Sequence, residues 1–234
     1  MLKIYGIEHI LYLVIVITTL SMLMVLLKFK IKSDKSQRLM FMILGIIDII
    51  SVLINRIALS IESNNYFMLI PDSFCGMSGL VLGIGLAFFK KDNIVLHAVW
   101  FIAFLGMVIT LAHPDFITKS DSLFYFPTIT SLWHHTVTLF NLIAIFLFKY
   151  ISLNYKKAWV QIPGTIIYIG IGFFLVFVGN VHEAFYLYVP AVKGTFLYFH
   201  YMYPMYLAVY ALILFGVELY RKKHKEQDGV ISEA

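Results

Sequence analysis

The sequence predicts an all-α, polytopic membrane bundle, and three observations predict it. Hydrophobic residues make up 61% of the 234-residue chain and charged residues only 13%, about half the charged share of an ordinary soluble domain. Seven apolar stretches meet the roughly 20 residues that a helix needs to cross a hydrocarbon core about 30 Å thick. The 18 Lys and Arg residues fall almost entirely between those stretches, where membrane topology places them. A net charge of +5 would suggest nucleic acid in a soluble protein; here it is a topology signal, and no nucleic-acid partner is expected.

The first apolar run, Ile10 to Leu27, is longer than a signal-peptide core and lacks a small-residue cleavage site, so it reads as a retained span. The seven spans fall near residues 8–28, 38–60, 70–89, 94–112, 125–148, 159–180 and 199–220. Lys28, Lys30, Lys32, Lys35 and Arg38 follow span one, Lys90 and Lys91 follow span three, Lys149, Lys156 and Lys157 follow span five, and Arg221, Lys222, Lys223 and Lys225 follow span seven. The other side has Lys3, Lys119 and Lys193, with Arg56 left inside span two. The amino end is therefore expected outside and the carboxyl end inside. Seven spans alternate correctly where six do not, and an odd count argues against two equal inverted halves. The chain reads as one transmembrane domain, 1–221, followed by a polar, mobile cytoplasmic tail, 222–234.

With helix directions set, most polar residues inside the spans share one leaflet. Cys75 is expected about one turn into span three if Pro71 takes the first helical position, where its missing N–H costs nothing. There the helix dipole favours thiolate while burial opposes it. His134 and His135 in span five lie at a similar depth, and His9, Asn55, Arg56, His113, Asn180 and His200 belong to the same layer. Asp48 alone is near mid-membrane. Ionisable groups in spans cost about 2.5–3.5 kcal/mol at the centre, so a one-sided cluster suggests an outward-opening polar pocket.

Each residue also has a plainer reading. A lone cysteine is ordinarily packing, and Gly76, Gly79 and Gly83 at helical spacing favour close helix contact. His9, His113 and His200 fit wet interfacial positions, Asn180 fits a helix terminus, and Arg56 could snorkel outward or pair with Asp48. One cysteine permits no internal disulfide, no zinc spacing is present, and no metal or cofactor is expected.

Several stretches together resemble a known family. Tyr5-Gly6-Ile7-Glu8-His9-Ile10, Ile70-Pro71-Asp72-Ser73-Phe74-Cys75, Ala112-His113-Pro114-Asp115, Leu132-Trp133-His134-His135, Asn180 and Tyr203-Pro204-Met205-Tyr206 are similar to motifs of the YwaF-like bacterial integral membrane proteins. Those proteins are in turn similar to the transmembrane plasmalogen-remodelling acyltransferases. The Pro-x-x-x-Cys with a later histidine is the most specific part; the family's Asn-Tyr-Met after span six has no clear counterpart. A more distant likeness is to membrane hydrolases of fatty-acid esters that use a threonine and a histidine.

The resemblance implies a cell-membrane lipid acyltransferase, or acyl hydrolase, acting on phospholipids. Cys75 would be the nucleophile and His135, or its neighbour His134, the base. His9, Arg56, Asn180 and His200 would bind substrate or its oxyanion, and Asp48 or Glu183 would orient the base. Two other classes stay open on the residues alone: an outward-facing binding protein or permease for a small polar solute, and a structural or sensor protein whose polar residues only bridge helices.

Overall fold

A computed structural model describes residues 2–119, 121–190, 196 and 198–232, with side chains through Lys223. Lys193, counted above on the outer side, lies outside these residues, as do residues 233–234 of the expected tail. The described residues form the α-helices α1 (Ile7–Lys30), α2 (Asp34–Ser63), α3 (Phe74–Phe88), α4 (Ile94–Ala112), α5 (Phe126–Leu147), α6 (Gln161–Phe177) and α7 (Phe199–Ser232), with short 3-10 turns between them and no strand. We call the end where α1, α3, α5 and α7 begin the top, and the lysine-rich end the base.

Six of the helices are long and apolar enough to cross a membrane, α6 together with the 3-10 turn that precedes it. The exception is α3, whose 15 residues span only about 22 Å. Local chemistry shortens it. The Ser73 hydroxyl accepts a hydrogen bond from the Gly76 amide at 3.1 Å and caps the helix, so Pro71 and Asp72 stand outside it. The expectation that Pro71 opens the helix is therefore corrected, and Cys75 is its second residue rather than a turn inside. At the other end, α7 runs past residue 221 through Ser232. The expected mobile tail is thus largely a helical extension, in keeping with the helix propensity of its Lys, Glu and Gln residues.

The helices α2, α3, α4 and α5 form the packed centre. Their closest approach is at Gly45 and Gly83. A Cβ added at Gly45 would lie 2.6 Å from the Gly83 carbonyl oxygen and 2.6 Å from the Ala87 amide, so backbone meets backbone with no room for a side chain. At Gly79 an added Cβ would meet Thr138 Oγ1 of α5 at 2.9 Å. The small-residue stripe of α3 is therefore what packs it between α2 and α5. Peripheral α1 buries only His9 and Met24. It is fastened by His9 Nε2 donating to the Leu111 carbonyl at 3.0 Å, Tyr12 bonding Thr136 at 2.6 Å, and Lys28 donating to the Leu147 carbonyl at 3.0 Å.

Beside the packed rings of Phe41, Phe148 and Tyr150, polar bonds tie the turns of the base together. Asp92, in the turn between α3 and α4, has a left-handed φ of 58°. Its carboxylate accepts from Lys157 Nζ at 2.6 Å, Ser152 Oγ at 2.7 Å, and the Ser152 amide and His97 Nε2 each at 2.8 Å. Partial burial opposes the charge, but these donors outweigh it and hold the carboxyl well below the usual carboxylate range.

Two outcomes are expected. Gly45→Ala should lower stability by about 1–3 kcal/mol, the usual cost of overpacking, read as a drop in the thermal midpoint in detergent. Because Asp92 is more acidic folded than unfolded, its contribution is present above the ordinary carboxylate pKa of about 3.9 and is lost only as pH falls through the lower folded value. The midpoint difference between the native chain and Asp92→Asn should therefore shrink only in acid below the ordinary carboxylate pKa of about 3.9.

Candidate functional site

The site at the top is built from the start of α3 outward. The Ser73 cap puts Cys75 in the first turn, where free amides and the helix dipole concentrate positive potential. The Cys75 sulfur lies 3.4 Å from Thr110 Oγ1 on α4. It faces Gly106, where a Cβ would come within 2.7 Å of the sulfur. The missing side chain at Gly106 is what leaves the thiol its place.

From there a cavity of about 440 Å³ opens between α3, α4 and the start of α7. Phe74, Ile102, Leu105, Ile109, Phe116 and Phe199 make its body apolar. Polar groups gather at the rim: His113 and Asp115, 55% and 73% exposed and joined at 3.1 Å, together with Lys119, Tyr186 and Tyr203. The size and the mix of apolar walls with a few polar groups are those of a small-molecule site. A larger groove of about 800 Å³ between α1, α4 and α5 is apolar except for Ser21 and Lys28 and includes neither a cysteine nor a histidine.

Beside the cavity stands Arg56, 4% exposed. It donates to Asp72 Oδ1 at 2.6 Å and to Asn55 Oδ1 at 3.0 Å. Its partner is Asp72 in the segment leading to α3, not Asp48. The guanidinium carbon lies 3.8 Å from where a Gly76 Cβ would sit, and the positive charge acts on Cys75, His134 and His135 alike. Tyr186, in the turn between α6 and α7, closes the roof. Burial pushes its phenol up, with the nearby carboxylates of Asp72, Glu183 and Asp115 adding to the shift, so it stays a neutral donor.

The two histidines of α5 are buried just behind the cavity wall. His135 Nδ1 lies 2.6 Å from the Ser131 carbonyl, and because a carbonyl can only accept, the proton sits on Nδ1 and Nε2 carries the free lone pair. The ring is 6.0 Å from that of Phe116, a wall residue. His134 packs against His135 at 3.8 Å and has no hydrogen-bond partner at either nitrogen. The thiol is thus bonded to the Thr110 hydroxyl, and neither α5 histidine lines the cavity.

The remaining candidates are scattered. His9 is buried and clamps α1 to α4, its Nδ1 accepting from the Tyr5 amide at 3.2 Å. Asn180 is exposed in a left-handed conformation, φ 55°, just past the end of α6. His200 is exposed and packs on Tyr198 and Tyr201, and Glu183 is exposed. Asp48 lies deep in the bundle, bonded to Thr138 and Asn141. Sequence reasoning missed Thr110, Lys119, Tyr186 and the role of Asp72. Thr110 and His113 are three residues apart, a spacing that puts them on one helix face, and this was the available signal.

Together these features define a multi-pass helical membrane protein with a chemically equipped cavity at one end. The sequence pattern of the TMEM164 family matches residues 4–219, and the chain belongs to that family of membrane proteins. No curated protein and no solved structure matches it.

The geometry around the thiol is open to a direct check. Gly106→Ala should slow alkylation of Cys75 by a small maleimide, followed by intact mass, whereas Gly170→Ala, with nothing within 4 Å of the added Cβ, should leave the rate unchanged.

Proposed function

We propose that this protein is a membrane acyltransferase in which Cys75 takes an acyl chain from a phospholipid ester and passes it to a lyso-lipid acceptor. The observation that carries the reading is the free thiol at a helix start, set in the wall of a cavity with an apolar body and a polar rim. An acyl chain suits the body and a phosphorylated headgroup suits the rim, where Lys119 and His113 stand. In the orientation given by the lysine distribution, the top faces outward and the cavity lies at the headgroup level of the cell membrane's outer leaflet.

The chemistry follows from the tautomer of His135. Its Nε2 takes the Cys75 proton, the thiolate attacks the ester carbonyl carbon, and the carbon–oxygen bond breaks as His135 returns the proton to the leaving alkoxide. The acceptor hydroxyl then gives its proton to His135 and attacks the thioester, and the cysteine leaves as the thiol. Water in place of the acceptor would make the same site a hydrolase. The step requires His135 Nε2 to come within hydrogen-bond distance of the thiol, which in the structure is bonded to Thr110 Oγ1 instead. Burial opposes the thiolate, while the Arg56 charge and the helix start favour it, and the neutral Tyr186 phenol is available to the carbonyl oxygen.

Incubation with phospholipid vesicles should add one acyl mass to the native chain and none to Cys75→Ala. Acyl transfer should fall by at least about a thousandfold in Cys75→Ala, as for a lost nucleophile. Full turnover by Cys75→Ala would remove the reading. A loss in His135→Gln but not in His113→Gln would assign the base.

A further inference from the structure

We propose that Asp48, Thr138 and Asn141 form a mid-membrane site for one monovalent cation, a proton or a sodium ion, at the seam between α2 and α5. The site is separate from the Cys75 cavity, which none of the three residues lines, and it does not depend on the acyl-transfer reading.

Asp48 is the 15th of the 30 residues of α2 and is fully buried. Thr138 Oγ1 donates to its Oδ1 at 2.6 Å, and Asn141 Nδ2 donates to its Oδ2 at 3.0 Å. Both donors are neutral, so the carboxylate charge has no counter-charge in direct contact. The helices packed around it offer none. Apart from Cys75, α3 contains no titratable residue, and α4 has only His97, which is engaged with Asp92 at the base. On α5 the titratable residues are His134 and His135, with His134 one turn above Thr138. On α2 itself, Arg56 is two turns above and held by Asp72, while Arg38 is engaged with the Leu86 and Ala87 carbonyls. An isolated ion in such a place costs several kcal/mol even after relaxation, so a positive charge must join it.

A second, independent feature points to the same occupant. The amide that touches Asp48 carries an unpartnered oxygen, Asn141 Oδ1, in a residue with no exposure. A carboxylate without a cation beside an amide oxygen without a donor is a pattern that one proton or one small ion completes. Above it, His134 Nδ1 and Nε2 and Arg56 Nε are also buried without partners. His134, Thr138 and Asn141 recur at spacings of four and three along one face of α5. These orphaned groups mark a polar line from Arg56 at the top down to Asp48, suited to ordered water.

The test uses the full chain in nanodiscs. Infrared spectroscopy at neutral pH reads a protonated carboxyl, and the thermal midpoint in sodium against choline at equal ionic strength reads sodium. A protonated-carboxyl band present in the native chain and absent in Asp48→Asn assigns the proton. A midpoint raised by sodium in the native chain and not in Asp48→Asn assigns the ion. If Asp48→Asn does not fold, Asn141→Leu takes its place. That change must shift the band or weaken the sodium response. Neither a band nor a sodium effect in the native chain, or effects identical in the variants, would overturn the proposal.

Discussion

The ion pair between Arg56 and Asp72 is the interaction on which the top of the bundle depends. It joins the last turns of α2 to the non-helical residues ahead of α3 and so holds the capped start of α3 against α2. Burying a guanidinium is tolerable only with a partner at good geometry, and Asp72 supplies one at 2.6 Å. Once α3 is anchored there, the thiol, the wall formed by α4 and the turn above it have fixed places. The same guanidinium sets the potential felt by Cys75 and by the paired histidines of α5. One charge therefore serves both the architecture and the reactive groups.

Around that anchor the protein divides its labour between close packing and polar bonding. At Gly45 and Gly83 backbone meets backbone, and precision comes from the absence of a side chain at each glycine. At the base, where three turns converge, Asp92 collects donors from two other segments. Along α2 and α5 a polar seam crosses an otherwise apolar interior. Such a seam is expensive in hydrocarbon unless it serves some purpose, and it separates the α5 histidines from simple packing residues.

Much of the fold was legible in the sequence because span length and charge placement are strong signals. The limits of α4 and α5 agree closely with the apolar runs, and the lysines gather at one end. The shortness of α3 was harder to see. Pro71 offered a familiar helix opening, yet the Ser73 hydroxyl two residues later is the better cap, and only packing decides between such local options. The site was legible in part. Cys75 could be placed on the right layer, but which polar residues face it depends on helix rotation, which apolar spans barely encode. His9 clamps α1 to α4, Asn180 stands past a helix end and His200 is a surface ring, the last two as their plainer readings in the sequence allowed, while Thr110 and Tyr186 came into view only with the fold.

The turn between α6 and α7 holds Phe185 and Tyr186 in consecutive left-handed conformations, φ 51° and 58°, uncommon for bulky residues. The Phe185 amide donates to the Asp72 carbonyl at 2.7 Å. The roof of the cavity and the partner of Arg56 are thus one mechanical unit. A guest that pushes Tyr186 aside would tug on residue 72 and so alter the electric field at the sulfur, making occupancy and reactivity two readings of a single hinge.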